Sequence, residues 1–163
     1  MKIRIAINKL SYWLCGVSCI TIALMMVLMV IDALSRKFIG SIPGGYYTTI
    51  ALLTILLYFP QGFAQMHRAH ITVDLVTSRL SNRKKNYLSI ITTLLGIFVF
   101  SVLTWAGGVK AWEATLAKEV WMGAIFYPAW PFRWCIPIGL GVFTMQLIIT
   151  AIDDFRAIIR GAH

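Results

Sequence analysis

Residues 10–31 read LSYWLCGVSCITIALMMVLMVI and contain no charged side chain. Lys9 precedes this run and Asp32 follows it. A helix needs about 20 mainly apolar residues to cross a hydrocarbon layer roughly 30 Å thick, and this run reaches that length. It is longer than the roughly 7–15 apolar residues of a cleaved signal peptide, and no small-residue cleavage site follows it. We therefore expect a retained first transmembrane helix.

Three further intervals have the same character. Residues 38–66, 86–109 and 134–152 also lack Asp, Glu, Lys and Arg. The first of them contains the turn signal GSIPGG at residues 40–45, so the predicted second span begins after this turn, at about residue 46. We expect residues 1–163 to form a single membrane domain. Its predicted spans are at about residues 10–34, 46–66, 87–110 and 132–153.

The overall composition supports this interpretation. The chain is 59% hydrophobic and 13% charged, with a mean hydropathy of +0.78, whereas soluble domains are about 45–50% apolar and about 25% charged. Lipid-exposed segments must satisfy their own backbone hydrogen bonds, which leaves helices or a closed barrel, and the alternating polarity of barrel strands is not seen. The predicted fold class is all-α, an integral membrane protein with four transmembrane helices. No nucleic acid is expected as a partner despite the net charge of +9, because the basic residues flank the spans.

Basic residues are divided unequally between the two sides of the predicted membrane domain. Ten of the 15 Lys and Arg residues lie in the N-terminal segment, the loop between spans two and three, and the C-terminal tail. The other five lie on the opposite side. Because basic residues are retained on the cytoplasmic side, we expect both termini and the middle loop to be cytoplasmic.

The loop between spans two and three has an amphipathic pattern. Val73, Val76 and Leu80 recur at helical spacing, with polar side chains on another face. This predicts a short interfacial helix at about residues 72–86, lying on phospholipids and braced against another subunit. A basic loop that only sets the topology is the alternative. The candidate contact residues here are His70, Asp74, Arg79 and Arg83.

Aromatic residues are concentrated around the connection between spans three and four, and residues 105–134 contain five of the six Trp residues. Trp and Tyr are common at membrane–water boundaries and also at the centres of protein interfaces. Both interpretations stay open, an aromatic belt or a docking surface. The candidate interface residues are Trp121, Tyr127 and Trp130.

The predicted spans have no ionisable residue at their centres, where transport and proton pathways usually place one. Asp32 and Arg36 end the first span with i, i+4 spacing, which predicts a local ion pair; Asp32 facing a partner subunit is the alternative. The chain has three Cys residues without a Cys-x-x-Cys pair, and it has no nucleotide-binding motif. We therefore predict no catalytic, cofactor or metal site, and interpret the chain as an accessory subunit that is not an enzyme.

Proline and glycine in the spans predict details of helix packing. Pro137 is expected to kink the fourth span, while Gly96, Gly139 and Gly141 are expected to allow close helix approach. Cys135 is expected to begin the fourth helix. Two acidic residues outside the membrane, Glu113 and Glu119, are interpreted as solvated charges beside neighbouring lysines.

Several motifs together are similar to those of a known family. They are DALSR at 32–36, IPG at 42–44, QMHRAHITVDL at 65–75, YPAWP at 127–131 and IPIG at 136–139. In order and spacing they resemble the small membrane subunit (Q-type) of tripartite ATP-independent periplasmic (TRAP) transporters over nearly the whole chain. An acidic residue often opens the second helix in that family, whereas Tyr46, Tyr47 and Thr48 stand there in this chain.

The resemblance implies a function in the bacterial inner membrane. In such a system a periplasmic substrate-binding protein transiently delivers an organic acid, such as sialic acid or a C4-dicarboxylate, to a membrane pair. The large subunit carries the substrate and sodium sites, and the small subunit is a non-catalytic scaffold in a stable heterodimer with it. A membrane anchor subunit of a respiratory redox enzyme is the alternative, and a quinone-coupled thiol oxidant is a third interpretation.

Overall fold

The computed structural model describes residues 2–38, 40, 44–67, 82–122 and 126–159. Two short strands, β1 (Val120–Trp121) and β2 (Tyr127–Pro128), pair antiparallel. The helices are α1 (Lys2–Phe38), α2 (Gly45–Tyr58), α3 (Gln61–Met66), α4 (Asn82–Leu116), α5 (Trp130–Arg133) and α6 (Cys135–Ile159). Four helical segments are long and apolar enough to cross a membrane: α1, α2 with α3, α4, and α5 with α6. The predicted all-α membrane fold with four spans is confirmed.

The helices α1 and α4 are longer than the predicted spans. Charged residues end the apolar run but not the helix, because Lys, Arg and Glu are good helix formers. Residues 82–86, which we predicted as the end of the interfacial helix, are instead continuous with α4. The rest of that predicted helix lies outside the described residues.

The second span is interrupted at Pro60. Proline has no N–H to donate to the carbonyl of Leu56, and its ring crowds that carbonyl. The amide of Phe59 still donates to Ile55 O at 3.1 Å, and the helical pattern resumes with Ala64 donating to Pro60 O at 3.0 Å. The span is therefore built from two helices, α2 and α3.

The fourth span is also divided, into α5 and α6, with the break at Trp134. Pro137 lies in the first turn of α6, where a missing N–H costs no hydrogen bond within the helix. The kink that we predicted at Pro137 is therefore a helix break just before it. Cys135 is the first residue of α6, as predicted.

The helix α6 is at the centre of the fold, in contact with α1, α2, α3, α4 and α5. Its side chains Leu140, Val142, Phe143 and Leu147 are buried. Phe143 meets Phe100 of α4 edge to face, with ring centroids 4.6 Å apart. The core therefore surrounds α6, while α1 and α4 turn long apolar faces outward.

The helix α1 packs inward through small polar side chains. Ser11, Ser18 and Thr21 are at most 6% exposed. Each hydroxyl donates to a carbonyl one turn earlier in α1, at 3.1, 3.0 and 2.8 Å respectively. Because α1 satisfies these hydroxyls itself, its neighbours can approach closely without leaving a buried polar group unpaired.

Two glycines permit the closest contacts between helices. A Cβ atom on Gly139 would overlap the carbonyl of Tyr58 and lie 2.8 Å from Tyr58 Cβ, and one on Gly62 would lie 2.9 Å from Val142 Cγ1. The close approach predicted for Gly139 is confirmed. It brings α6 against the last residue of α2, beside the interruption at Pro60.

Candidate partner-binding surfaces

Residues 117–122 and 126–129 form a small structure at one end of the bundle, which we call the cap. The chain leaves α4 through Lys118, which has a left-handed φ of 47°, and Glu119 N donates back to Ala114 O at 2.9 Å. Ala129 N donates to Glu119 O at 2.9 Å. These hydrogen bonds reverse the chain and return it to α5.

Four aromatic rings are stacked in the cap and beside it. Trp121 and Tyr127 face each other across the two strands with centroids 6.1 Å apart and an interplanar angle of 11°. Tyr47 of α2 stacks on Trp121 at 5.9 Å, and Phe132 of α5 stacks on Tyr127 at 5.9 Å. Stacked pairs contribute roughly 0.5–1.5 kcal/mol each beyond burial. The stack ties the cap to both neighbouring spans.

Tyr47 is the member of this stack that sequence reasoning missed. Besides stacking, its hydroxyl donates to Met122 O at 2.5 Å. The residue type that gives the stacking was visible in the sequence, because two tyrosines, Tyr46 and Tyr47, stand at the start of the second span. Of the three aromatic candidates, Trp121 and Tyr127 are brought together, whereas Trp130 begins α5 and is not one of the four stacked rings.

Ion pairs hold several of the charged residues at the cap end of the bundle. Arg36 Nη2 lies 2.8 Å from Asp32 Oδ2, so the predicted local pair is confirmed. Glu119 pairs with Arg133. Our interpretation of Glu119 as a solvated charge beside its neighbouring lysine is wrong, because the chain reversal brings Arg133 to it from 14 residues away.

An apolar groove of about 740 Å³ runs between α4 and α6. Two of its hydroxyls are already used, since those of Thr104 and Thr144 donate to carbonyls of their own helices at 2.7 and 2.8 Å. Small side chains line part of it, and a Cβ atom added to Gly108 would have no neighbouring atom within 4 Å. The groove is lined by Ser101, Thr104, Trp105, Gly108, Val109, Trp112, Trp134, Pro137, Gly141, Thr144, Met145 and Ile148.

The helix α4 exposes apolar side chains along much of its length. None of the residues in its most apolar 18-residue window is buried within the chain. Phe98 is 70% exposed and Trp105 is 77% exposed. A soluble protein does not leave side chains of this size in water, so this face contacts lipid or another protein.

The remaining candidates give no chemical site. Within the residues that the structure describes, no group of three His, Cys, Asp or Glu side chains is placed to hold a metal. The three cysteines are free thiols. His70, Asp74 and Arg79 lie outside the described residues, and Arg83 lies in the first turn of α4. The absence of a cofactor stays a prediction.

Comparison with known families matches residues 25–157 to the DctQ component of tripartite ATP-independent periplasmic transporters. The matched residues run from the second half of α1 through the cap and nearly to the end of α6. Comparison with curated proteins gives no match.

Proposed function

This chain belongs to the DctQ component family of tripartite ATP-independent periplasmic transporters, and we propose that it is the non-catalytic scaffold subunit of a sodium-coupled member that imports an organic acid. Sialic acid and C4-dicarboxylates are the substrate classes we propose. Family membership implies association with a large membrane subunit and with a periplasmic binding protein, and it makes the chain a multi-pass inner-membrane protein. The match does not support the alternative of a redox-enzyme anchor.

The distribution of charge along the spans supports a scaffold role. In the described spans, no Asp, Glu, Lys or Arg lies between Lys9 and Asp32 of α1, in α2 or α3, or in α4 between residues 90 and 109. Transport pathways usually carry ionisable side chains at membrane depth. The substrate and sodium sites are therefore assigned to the large subunit.

The groove between α4 and α6 is the surface that we assign to the large subunit. Its apolar lining and its glycines suit close packing of a helix, which in lipid depends on small residues because apolar burial gives no driving force there. Gly108 and Gly141 leave the room that such a helix needs. The stable heterodimer that we propose would cover this groove.

We propose that the cap lies in the periplasm. The start of α1 and the end of α6 lie at one end of the bundle, where Arg4 pairs with Asp153. The sequence flanking that end is the richer in Lys and Arg, which favours the cytoplasm. The cap then faces the compartment of the binding protein, and we assign it a role in docking that protein.

Copurification tests the heterodimer. The chain is co-expressed with the large subunit encoded for the same transporter, solubilised, and purified through a tag on the large subunit. We expect the wild type and Gly16→Leu to copurify and Gly108→Leu to be lost, because both glycines have open space around a Cβ but only Gly108 lines the groove. Equal recovery of both variants would reject the groove as the contact surface.

Transport tests the function itself. Deleting this chain should abolish sodium-driven uptake of the substrate that the binding protein delivers, with the large subunit still present in the membrane. Uptake that continues without the chain, together with failure of the wild-type chain to copurify, would overturn the proposal.

A further inference from the structure

Every carboxylate at the cap end of the bundle is already paired. The sequence places three acidic residues there, Asp32, Glu113 and Glu119. Asp32 pairs with Arg36, Glu113 with Lys110 at 2.8 Å, and Glu119 with Arg133. The negative charge of this surface is therefore neutralised locally by three of its cations.

Two lysines are left over at the same end. Lys37 and Lys118 are exposed, and neither forms an ion pair within the described part of the chain. The ammonium group of Lys37 lies 6.0 Å from the ring centroid of Phe38. A phenyl ring carries no net charge, so this contact does not neutralise the ammonium group. The cap end therefore presents two uncompensated positive charges and no uncompensated carboxylate.

Both lysines lie past the ends of the uncharged runs of their helices. Lys37 is six residues past Ile31, the last residue of the uncharged run in α1, which is about 9 Å along a helix axis. Lys118 comes two residues after Leu116, the last residue of α4. Leu116 lies about 10 Å along the helix axis past Val109, which ends the uncharged run of α4. The headgroup layer is roughly 5–8 Å thick on each side. A soluble protein therefore reaches these charges more readily than a lipid does.

Exposed apolar side chains accompany the two charges. Phe38, next to Lys37, is 77% exposed, and Met122, four residues after Lys118, is 79% exposed. Phe126 on the other side of the hairpin is 73% exposed. Aromatic residues and Met at the centre of a surface with charge around it are the usual composition of a protein interface.

We propose that the cap end docks a soluble protein through an acidic face, with Lys37 and Lys118 steering the approach and Met122 and Phe126 making the apolar contact. The inference rests on the proposed function, which makes this partner the periplasmic binding protein. The inference adds how the two proteins recognise each other: association of the binding protein with the cap end depends on ionic strength and on these two lysines.

Titration of the binding protein against the complete membrane complex tests this. The complex is held in nanodiscs of phosphatidylcholine, and affinity is measured by biolayer interferometry at low and at high salt. The double variant Lys37→Gln with Lys118→Asn removes both charges, and Asn tolerates the left-handed conformation of residue 118. We expect about three- to tenfold weaker binding at low salt and convergence with the wild type at high salt, where screening removes the difference.

The control variant is Lys9→Gln, which removes an exposed charge at the other end of α1. We expect it to bind like the wild type. The inference is overturned if the double variant keeps wild-type affinity and salt dependence, or if Lys9→Gln weakens binding equally. It is also overturned if the double variant weakens binding only when the nanodiscs contain phosphatidylglycerol. In each of those cases copurification with the large subunit still decides the proposed function separately.

Discussion

Arg4 and Asp153 join the beginning of α1 to the last turns of α6. Nη2 of the guanidinium lies 2.8 Å from Oδ2 of the carboxylate, and Nη1 lies 3.2 Å from Oδ1. One turn further along α1, Asn8 Oδ1 accepts a hydrogen bond from Gln146 Nε2 at 3.3 Å. The two contacts set the antiparallel register of α1 against the central helix.

Removing the Arg4–Asp153 pair should cost little stability. The side chains are 56% and 34% exposed, and exposed ion pairs contribute about 0.2–1 kcal/mol. A double-mutant cycle with Arg4→Gln and Asp153→Asn, followed by thermal unfolding in detergent, should give a coupling energy in that range that falls with added salt. A coupling energy of several kcal/mol would show that the pair is shielded from solvent in the assembled protein.

Gly139→Ala should be the most damaging single methyl addition in the bundle. The new Cβ would meet the backbone of Tyr58 rather than a flexible side chain, so α6 must move away from α2. Overpacking of this kind costs roughly 1–3 kcal/mol, measured as a lower melting temperature of the purified protein.

The matched control for this variant is Gly108→Ala, which meets nothing within 4 Å. It should be neutral or slightly stabilising, because Ala is the better helix former by about 1 kcal/mol. Equal destabilisation by the two substitutions would contradict the close approach at Gly139.

Gln146→Met should leave stability nearly unchanged although the residue is only 3% exposed. Within the described part of the chain, the amide oxygen of Gln146 is buried without a hydrogen-bond partner, so the substitution removes an unsatisfied group together with one hydrogen bond to Asn8. A net change below about 1 kcal/mol is expected. Gln146→Glu, which buries a charge at the same place, should be strongly destabilising.

Tyr47 makes two contributions to the cap that substitution can separate. Tyr47→Phe keeps the ring on Trp121 and loses the hydrogen bond to Met122 O, which should cost about 0.5–1.5 kcal/mol. Tyr47→Ala should cost more, because the stacking is lost as well. The two variants can be ranked by thermal unfolding followed through Trp fluorescence, and equal losses would show that the ring contributes nothing.

Local patterns in the sequence are enough to predict the spans of this protein. A charge at membrane depth is costly, and lipid cannot satisfy a backbone amide, so uncharged apolar runs of about 20 residues predict helices that cross the membrane. The pair between Asp32 and Arg36 is also local, since one helical turn brings the two together.

Contacts between distant segments were decided only by the tertiary structure. Tyr47 meets Trp121, Glu119 meets Arg133, and Gly139 meets Tyr58 because the chain reverses at Lys118 and breaks at Pro60. The spacing of residues along the sequence does not indicate the register of one helix against another. The sequence by itself therefore determined that four helices cross the membrane, whereas the packing of those helices decided which aromatic rings and which charges form the cap.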